Sequence, residues 1–244
     1  MVDGKKAIVV GASSGIGRAL ARVLAEAGYE LGLVSRRTEL LEALQKELPA
    51  KACIRPIDVS RPDQAMPLLS ELINQMPGVD LIILNAGVNA SKPDFNWPGE
   101  KQTIEVNISG FAACANLAVQ HFLAQNHGHL VGISSIAGLR GSARCPAYNA
   151  SKAFVSNYLQ GLRYKLSRHN IYVTDIRPGL VDTDMVRDIR RRFWVSTPQA
   201  AARQILSAIK KRKKVAYITG RWLLIAWLIR FLPDWAYARK YRYE

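Results

Sequence analysis

The stretch AIVVGASSGIG, residues 7–17, places a turn rich in glycine and serine directly after a short apolar run. Three glycines and two serines within the eight residues 10–17 should fray any regular element. The stretch is therefore either a tight turn and nothing more, or a point at which the backbone must come very close to another group. The organisation of the rest of the chain separates these two interpretations.

Strand-like and helix-like segments alternate along the chain. The strand-like segments, such as VDLIILNAG at 79–87 and IYVTDIRPG at 171–179, carry continuous apolar runs rather than alternating ones. Such runs are typical of a parallel sheet whose two faces are both covered by helices. We predict a single-domain α/β fold, a Rossmann-type doubly wound parallel sheet over residues 1–220, followed by an apolar and basic helical tail over 221–244.

This architecture gives the glycine-rich turn a chemical role. In an open parallel sheet, ligands bind beyond the carboxyl ends of the strands, and the turn into the first helix presents backbone N–H groups and the positive end of the helix dipole to a diphosphate. Gly11, Gly15 and Gly17 have the spacing G-x-x-x-G-x-G rather than the commoner G-x-G-x-x-G. We expect a dinucleotide cofactor at this turn.

Charge, cysteine content and the lengths of the apolar runs argue against several other classes of protein. Residues 185–244 carry 15 Lys and Arg against 3 Asp and Glu, so most of the formal net charge of +15 lies in the last quarter of the chain, which disfavours a nucleic-acid-binding domain. Cys53, Cys114 and Cys145 are far apart and lack C-x-x-C spacing, so we expect neither a disulfide framework nor a metal site. No run reaches the ~18 to 20 apolar residues of a spanning helix, and the opening segment is too short for a signal peptide. We expect a cytoplasmic protein.

A second group of residues, around YNASK at 148–152, indicates proton chemistry. Tyr148 and Lys152 are four residues apart, and such residues share one face of a helix, so the ammonium can lie near the phenol and favour its ionised form. A tyrosine with its ordinary pKa of about 10 is a poor base at neutral pH, and a nearby cation lowers that pKa. Ser135 precedes the tyrosine by thirteen residues.

Together with NAG at 85–87 and VNISG at 106–110, these motifs make the sequence resemble the short-chain dehydrogenase/reductase family over about residues 5–220. The resemblance implies a catalytic set of Asn107, Ser135, Tyr148 and Lys152. The expected cofactor-binding set is Gly11, Ser13, Ser14, Gly15, Ile16, Gly17, Ser35, Arg36, Asp58, Val59, Asn85, Ala86, Gly87, Tyr148, Lys152, Pro178, Gly179 and Thr183. Val10 departs from the family, which usually has threonine there.

The resemblance also implies a mechanism. Ser135 would donate a hydrogen bond to a substrate carbonyl, Tyr148 would pass a proton to or from its oxygen, and a nicotinamide would exchange a hydride with its carbon. Lys152 would lower the pKa of the tyrosine and hold the ribose hydroxyls, and Asn107 would hold a water for proton exchange with solvent. The alternative from another class is a dinucleotide-binding regulator without chemistry, which the complete catalytic set disfavours.

The end of the second strand, LVSRR at 33–37, bears on the choice of cofactor. A carboxylate at this position would bind the ribose hydroxyls and repel a 2′-phosphate, whereas Ser35 and Arg36 offer a hydroxyl and a guanidinium suited to that phosphate. We therefore expect NADP(H) in preference to NAD(H). Ser13 is a second expected contact and Arg37 a helper, the alternative for Arg37 being a solvated residue in the first turn of a helix.

The segment VDTDMVRDIRRRFWVS, residues 181–196, lies where such enzymes carry a substrate lid. Its apolar members, Met185, Val186, Ile189, Phe193 and Trp194, would line a pocket for an apolar substrate or serve as plain packing residues. An acyl, sterol or similar apolar carbonyl compound is the first expectation for the substrate class. A 3-oxoacyl thioester on an acidic carrier protein, attracted by the basic surface, is the alternative.

The tail GRWLLIAWLIRFLPDWAYARKYRYE, residues 220–244, combines apolar and aromatic residues with Arg221, Arg230, Arg239, Lys240 and Arg242. A helix over Trp222–Leu232 would be only ~16 Å long at ~1.5 Å per residue, about half of a ~30 Å hydrocarbon core, so it cannot span. Three alternatives remain for it: peripheral contact with an anionic membrane, helped by the basic run KKRKK at 210–214, a subunit contact, or a simple intramolecular cover.

The resemblance implies a homodimer or tetramer. Its helices 101–125 and 147–169 correspond to the pair through which members of the family commonly associate. The small residues Ala112, Ala113, Ala115 and Ala118 would permit close helix approach in such an interface.

Overall fold

The computed structural model describes residues 4–91, 97–186 and 194–239. Its seven strands are β1 (Lys6–Val10), β2 (Glu30–Ser35), β3 (Ala52–Pro56), β4 (Val79–Leu84), β5 (Gly128–Ile133), β6 (Ile171–Pro178) and β7 (Val215–Ile218). They form one parallel sheet in the order β3-β2-β1-β4-β5-β6-β7. The predicted doubly wound parallel sheet is confirmed.

Helices alternate with these strands. They are α1 (Gly15–Glu26), α2 (Thr38–Glu47), α3 (Pro62–Gln75), α4 (Trp97–Ile104), α5 (Phe111–Gln125), α6 (Pro146–Lys165), α7 (Pro198–Lys210), α8 (Arg221–Phe231) and α9 (Asp234–Arg239). Short 3-10 turns cover Ile136–Leu139 and Asp184–Val186. The helix predicted over 147–169 ends at Lys165, since the polar residues Ser167, Arg168, His169 and Asn170 form turns instead.

Two apolar clusters fill the space on either side of the sheet. Alternate strand residues point to opposite faces, so Ala7 and Val9 of β1 join the cluster with α1, α2 and α7, whereas Ile8 and Val10 join the cluster with α3, α5 and α6. Both faces are therefore buried, which explains why the strands read as continuous apolar runs.

The helical stretch over 97–125 contains one irregularity. Residues Glu105–Gly110 form a π-helical turn between α4 and α5, and it contains Asn107. Gly110 lets this turn pack closely on the backbone of Val59, because a Cβ at position 110 would lie 2.3 Å from the Val59 oxygen. Such turns recur at functional sites, and this one aims a buried side chain at the ends of the strands.

The strand order reverses between β1 and β4, which lie side by side although two other strands separate them in sequence. In open parallel sheets a crevice forms outside the carboxyl ends of the strands at such a point. The glycine-rich turn after β1 and the NAG segment after β4 both lie there.

The tail forms α8 and α9. Within the ranges that the structure describes, no helix combines the length and the apolar character needed to cross a bilayer. The basic run 210–214 precedes β7 and α8 follows it, so the two are separated by the length of that strand, ~13 Å at ~3.3 Å per residue. Lys240 and Arg242, and the side chain of Arg239, lie outside the described part of the chain.

Candidate active site

The glycine turn holds the backbone closer to its neighbours than any side chain would allow. A Cβ on Gly17 would lie 1.9 Å from the carbonyl oxygen of Gly11, and Gly11 itself has a φ of +90°. Asn85 fixes the turn from β4, since its Nδ2 donates to the Gly11 oxygen at 2.8 Å. The Ser14 side chain makes no capping hydrogen bond at the start of α1. The first-turn N–H groups therefore face outward as a site for an anion.

A cavity of about 540 Å³ opens beyond the carboxyl ends of the strands. The expected site residues that line it are Gly11, Ser13, Ser14, Gly15, Ile16, Ser35, Arg36, Asp58, Val59, Asn85, Ala86, Gly87, Ser135, Tyr148, Lys152, Pro178, Gly179 and Thr183. Gly17 and Asn107 are not among the lining residues. Gly17 lies beneath the turn, packed on Gly11, and Asn107 lies behind Gly87.

Ser135, Tyr148 and Lys152 meet on one wall of this cavity. Ser135 follows β5 and lies next to β6, its Oγ donating to the Pro178 oxygen at 3.4 Å and accepting from the Ala137 N–H at 3.1 Å. Tyr148 and Lys152 project from α6, and the Lys152 Nζ lies 5.8 Å from the centre of the Tyr148 ring. The same Nζ donates to the Ile133 oxygen at 2.9 Å. Residues that the sequence spaces thirteen and four positions apart, Ser135, Tyr148 and Lys152, thus lie close together in the structure.

The protonation of this group is set mainly by burial. Burial raises the pKa of Tyr148 to about 12, opposed by a hydrogen bond with Ser135. Burial lowers the pKa of Lys152 to about 8, opposed by the charge of Asp175. The pKa of the phenol is thus raised rather than lowered, because desolvation outweighs the other influences. A neutral phenol at neutral pH is suited to donating a proton.

Asn107 is buried and committed to structural hydrogen bonds. Its Oδ1 accepts from the Val88 N–H at 2.8 Å, and its Nδ2 donates to the Val88 oxygen at 2.8 Å and to the Ser151 Oγ at 3.0 Å. Both Nδ2 hydrogens are therefore used, and only one lone pair of Oδ1 remains for a water. The residue joins the loop after β4 to α6, which carries the catalytic candidates.

Two adjacent arginines follow β2 and behave differently. Arg36 extends towards Asp58, with 3.9 Å between its Nη1 and the carboxylate. Arg37 turns back over the glycine turn, where its Nη2 donates to the Ser13 Oγ at 2.8 Å and to the Ser14 Oγ at 2.7 Å. Hydroxyls do not neutralise a guanidinium, so its positive charge remains available to a phosphate. From the sequence, Arg37 is expected only as a helper, because no local pattern indicates which of the two arginines turns back over the glycine turn.

The segment after β6 closes the cavity from above. A Cβ on Gly15 would lie 2.9 Å from the Thr183 Cγ2, so Thr183 covers the glycine turn. Behind Gly179 lies Trp222 of α8, whose indole a Cβ on Gly179 would overlap. Trp222 is a residue that sequence reasoning missed as part of the site, since its position depends on a contact between distant segments.

The expected lid is described in part. Met185 lines the cavity and is partly exposed, and Val181 lines it from the base of the segment. Trp194 is partly exposed and packs edge-on against Trp222. Ile189 and Phe193, and the side chain of Val186, lie outside the described residues. Among the residues that are described, no group of three or more His, Cys, Asp or Glu side chains could hold a metal ion.

The donor set fits a dinucleotide. The glycines of the turn have no side chains in the way, so only their backbone would lie next to a diphosphate. Arg36 and Arg37 flank the cavity on the side of β2, and the polar groups of α6 lie at its other end. A cleft with anion-binding groups at one end and proton-transfer groups at the other suits the two ends of a nicotinamide cofactor.

Comparison with known proteins agrees with this geometry. The family model described as short chain dehydrogenase matches residues 5–193. An uncharacterized oxidoreductase of Myxococcus xanthus is 37% identical over 186 residues, which cover 74% of each protein. Among solved structures, a short chain dehydrogenase/reductase from Burkholderia phymatum in complex with NAD shares the fold with a TM-score of 0.83 and 24% identity, over 93% of this chain and 92% of that one. A short-chain dehydrogenase from Sphingobium yanoikuyae in complex with NADPH has a TM-score of 0.80 and 24% identity, over 94% of this chain and 97% of that one. A 3-ketoacyl-ACP reductase from Sinorhizobium meliloti has a TM-score of 0.78 and 26% identity, over 87% of this chain and 96% of that one.

Proposed function

Because the chain belongs to the short-chain dehydrogenase/reductase family and is an NAD(P)-dependent oxidoreductase, we propose that it uses NADP(H) to interconvert a ketone and a secondary alcohol. One observation carries the proposal. Ser135, Tyr148 and Lys152 share one wall of the cavity whose other end is the glycine turn. The reactive end of a bound dinucleotide would therefore lie beside proton-transfer groups.

The cofactor, when bound, supplies or accepts a hydride. The chain's own residues do the rest. The Ser135 hydroxyl donates a hydrogen bond to the substrate oxygen and fixes the carbonyl. The Tyr148 phenol, kept neutral by burial, donates its proton to that oxygen during reduction. Lys152, charged below its pKa of about 8, favours the phenolate that remains.

The preference for NADP(H) rests on the residues after β2. Ser35, the last residue of β2, and the following Arg36 and Arg37 offer a hydroxyl and two guanidinium groups suited to a 2′-phosphate, and no carboxylate occupies positions 35–37. A bidentate guanidinium contact with phosphate is strong and geometrically specific.

For the substrate, we propose an apolar carbonyl compound. Met185, Val181 and Val88 line the cavity near the catalytic candidates and offer apolar surface to it. A 3-oxoacyl thioester is the second candidate, favoured by the 26% identity to the 3-ketoacyl-ACP reductase and by the basic last quarter of the chain.

The test is NADPH oxidation with a panel of soluble ketones, lipid ketones and a 3-oxoacyl thioester. We expect Tyr148→Phe to lower the turnover by about 10²-fold or more while NADPH binding is kept, since general acid catalysis contributes about that factor. Tyr158→Phe, on the same helix but packed between Phe111 and Phe154, is the matched control and should keep its activity. Tight NADPH binding without reduction of any carbonyl in the panel would instead favour the dinucleotide-binding regulator without chemistry.

A further inference from the structure

Helix α8 has an apolar face that nothing in the described chain covers. Its inner side packs against the body through Trp222 and Ala226, which are 4% and 3% exposed. The α8 outer face consists of Leu223, Leu224, Trp227, Leu228 and Phe231, together with Trp235 of α9, and these side chains are 51% to 72% exposed. A contiguous apolar surface of this kind marks an interaction site.

The surroundings of the α8 outer face indicate the chemistry of its partner. Exposed Arg221 and Arg230 stand at the two ends of the helix. Tryptophan and phenylalanine beside arginine suit the boundary between a bilayer and water, where the rings reach the acyl region and the guanidinium groups meet anionic headgroups. With 11 residues, α8 is ~16 Å long at ~1.5 Å per residue and would lie in the plane of the membrane.

The body of the protein holds α8 in place. Arg140, which directly follows the 3-10 turn after Ser135, donates to the Ile229 oxygen at 3.3 Å and to the Leu232 oxygen. The same side chain pairs with Asp234 and lies 4.5 Å from the centre of the Tyr237 ring. These contacts satisfy carbonyls at the end of α8 and fix the direction in which its outer face points.

The inner side of α8 belongs to the rim of the cavity. Trp222 packs on Gly179, which lines the cavity, and its ring meets that of Trp194 at 6.3 Å between centres. Whatever binds the outer face is thus one helix diameter, ~10 Å, from the cavity rim.

We propose that the α8 outer face docks on the surface of a bilayer that contains anionic lipid. Docking buries its apolar side chains, leaves Arg221 and Arg230 among the headgroups, and turns the cavity rim towards the membrane. Docking itself is independent of the reaction. Its consequence, the entry of an apolar ketone from the bilayer, rests on the proposed function.

The experiment is co-sedimentation of the full chain with vesicles of phosphatidylcholine, with and without a one-third fraction of phosphatidylglycerol. Wild type should bind the anionic vesicles more strongly. Trp227→Ser and the double variant Leu224→Ser/Trp227→Ser should weaken binding, the double by about tenfold or more, because buried apolar area drives it. Trp97→Ser is the matched control, since Trp97 is 62% exposed and Trp227 is 66% exposed; it should bind as wild type does.

A second pair of variants separates the charges. Arg230→Gln should weaken binding to the anionic vesicles, whereas Lys211→Gln, which directly follows α7 and precedes β7, should have the smaller effect. Lipids brominated in the acyl chain should quench the fluorescence of wild type more than that of Trp227→Phe. Circular dichroism and NADPH oxidation with a soluble ketone, both without vesicles, show that each variant is folded and test the reductase separately.

Three results would overturn the proposal. Wild type could fail to sediment with either vesicle, or Trp227→Ser and Trp97→Ser could bind alike. Light scattering could also show that the α8 variants dissociate an oligomer that has no affinity for vesicles, in which case the face is a contact between copies of the chain. Loss of the reductase activity alone, with vesicle binding intact, would count against the proposed function and leave the docking surface standing.

Discussion

At the scale of single residues, the site depends on polar groups whose burial is compensated by fixed partners. Asp175 is fully buried between Ser134, whose Oγ donates to it at 2.5 Å, and Arg177, whose Nε lies 2.7 Å away. Its negative charge raises the pKa of Lys152 against the larger effect of burial. The protein thus holds a lysine whose charge is easily lost, directly beside the phenol.

This placement predicts a pH dependence of stability. The pKa of Lys152 is about 8 in the folded protein and 10.5 in the unfolded one, so between these values the unfolded chain binds the extra proton. The free energy of unfolding of wild type should therefore rise with pH relative to Lys152→Met, by about 2 kcal/mol between pH ~7 and pH ~9.5. Below pH ~7 the lysine is protonated in both states, and the difference should become constant.

Urea unfolding of the two proteins at a series of pH values measures this difference. A parallel pH dependence of wild type and Lys152→Met would show that the buried lysine keeps an ordinary pKa. A difference that falls as the pH rises would contradict the sign of the argument.

The two arginines after β2 yield a second prediction. Arg37→Ala should raise the dissociation constant of NADPH by about 10- to 100-fold, as expected for the loss of hydrogen bonds to a charged group, and should change that of NADH far less. Arg61→Ala, an exposed arginine at the start of α3 that does not line the cavity, is the control. Titration calorimetry with both nucleotides decides the matter, and equal losses for NADH and NADPH would contradict the assignment of a 2′-phosphate site.

Residue identities in the site were largely predictable, and their orientations were not. The motifs predict that Ser135, Tyr148 and Lys152 lie together, and all three line the cavity because strand ends and helix spacing bring them to it. The sequence does not predict that Arg37, rather than Arg36, bonds to Ser13 and Ser14. It also does not predict that burial dominates the pKa of Tyr148, because burial depends on the packing of the whole fold.

At the scale of elements, the turn from β1 to α1 has the least tolerance for change. Gly17→Ala would place a Cβ 1.9 Å from the Gly11 oxygen, and the backbone must move to relieve it. We expect a loss of about 1 to 3 kcal/mol in the free energy of unfolding and weaker NADPH binding. Gly161→Ala, in the exposed interior of α6 with open space at its Cβ, should instead gain about 0.5 to 1 kcal/mol.

Thermal and denaturant unfolding of the two alanine variants check this contrast. If Gly17→Ala were as stable as wild type and bound NADPH equally well, the close approach of backbone at this turn would not be required.

The order of strands and helices along the chain could be predicted from the alternation of apolar runs, but the irregular elements could not. The π-helical turn at Glu105–Gly110 interrupts a stretch that reads as one continuous helix, because the packing of Gly110 on Val59 decides it. Of the small residues expected at a helix interface, Ala115 and Ala118 are buried against the sheet. The other two, Ala112 and Ala113, are half-buried on α5.

At the scale of the whole molecule, the sheet fixes the cavity, and long-range contacts fix the tail. The doubly wound parallel sheet was predicted from the sequence and is confirmed. The contact of Arg140 with Asp234 joins residues 94 positions apart, and no local pattern indicates it. The sequence therefore shows that the tail is apolar, but it does not predict that the tail attaches to the cavity rim.

Assembly is predicted to involve α5 and α6. We expect a homodimer of about 54 kDa, twice the 27.1 kDa of one chain, or a tetramer, in light scattering with mild detergent. Ala113→Arg, on the exposed side of α5, should lower this mass, because a buried unpaired charge opposes association. Asn74→Arg, at an exposed position of α3, adds the same charge and should leave the mass unchanged. A wild-type mass of one chain would contradict the prediction.

We propose that hydride passes between NADPH and a carbonyl carbon in this cavity while Tyr148 supplies the proton. The direct measurement uses NADPH deuterated at the transferred position of the nicotinamide, with mass spectrometry of the alcohol formed by wild type, Tyr148→Phe and Tyr158→Phe. We expect one deuterium on the carbinol carbon with wild type and Tyr158→Phe, and little product with Tyr148→Phe. Deuterated alcohol formed equally fast by Tyr148→Phe, or product without deuterium, would contradict it.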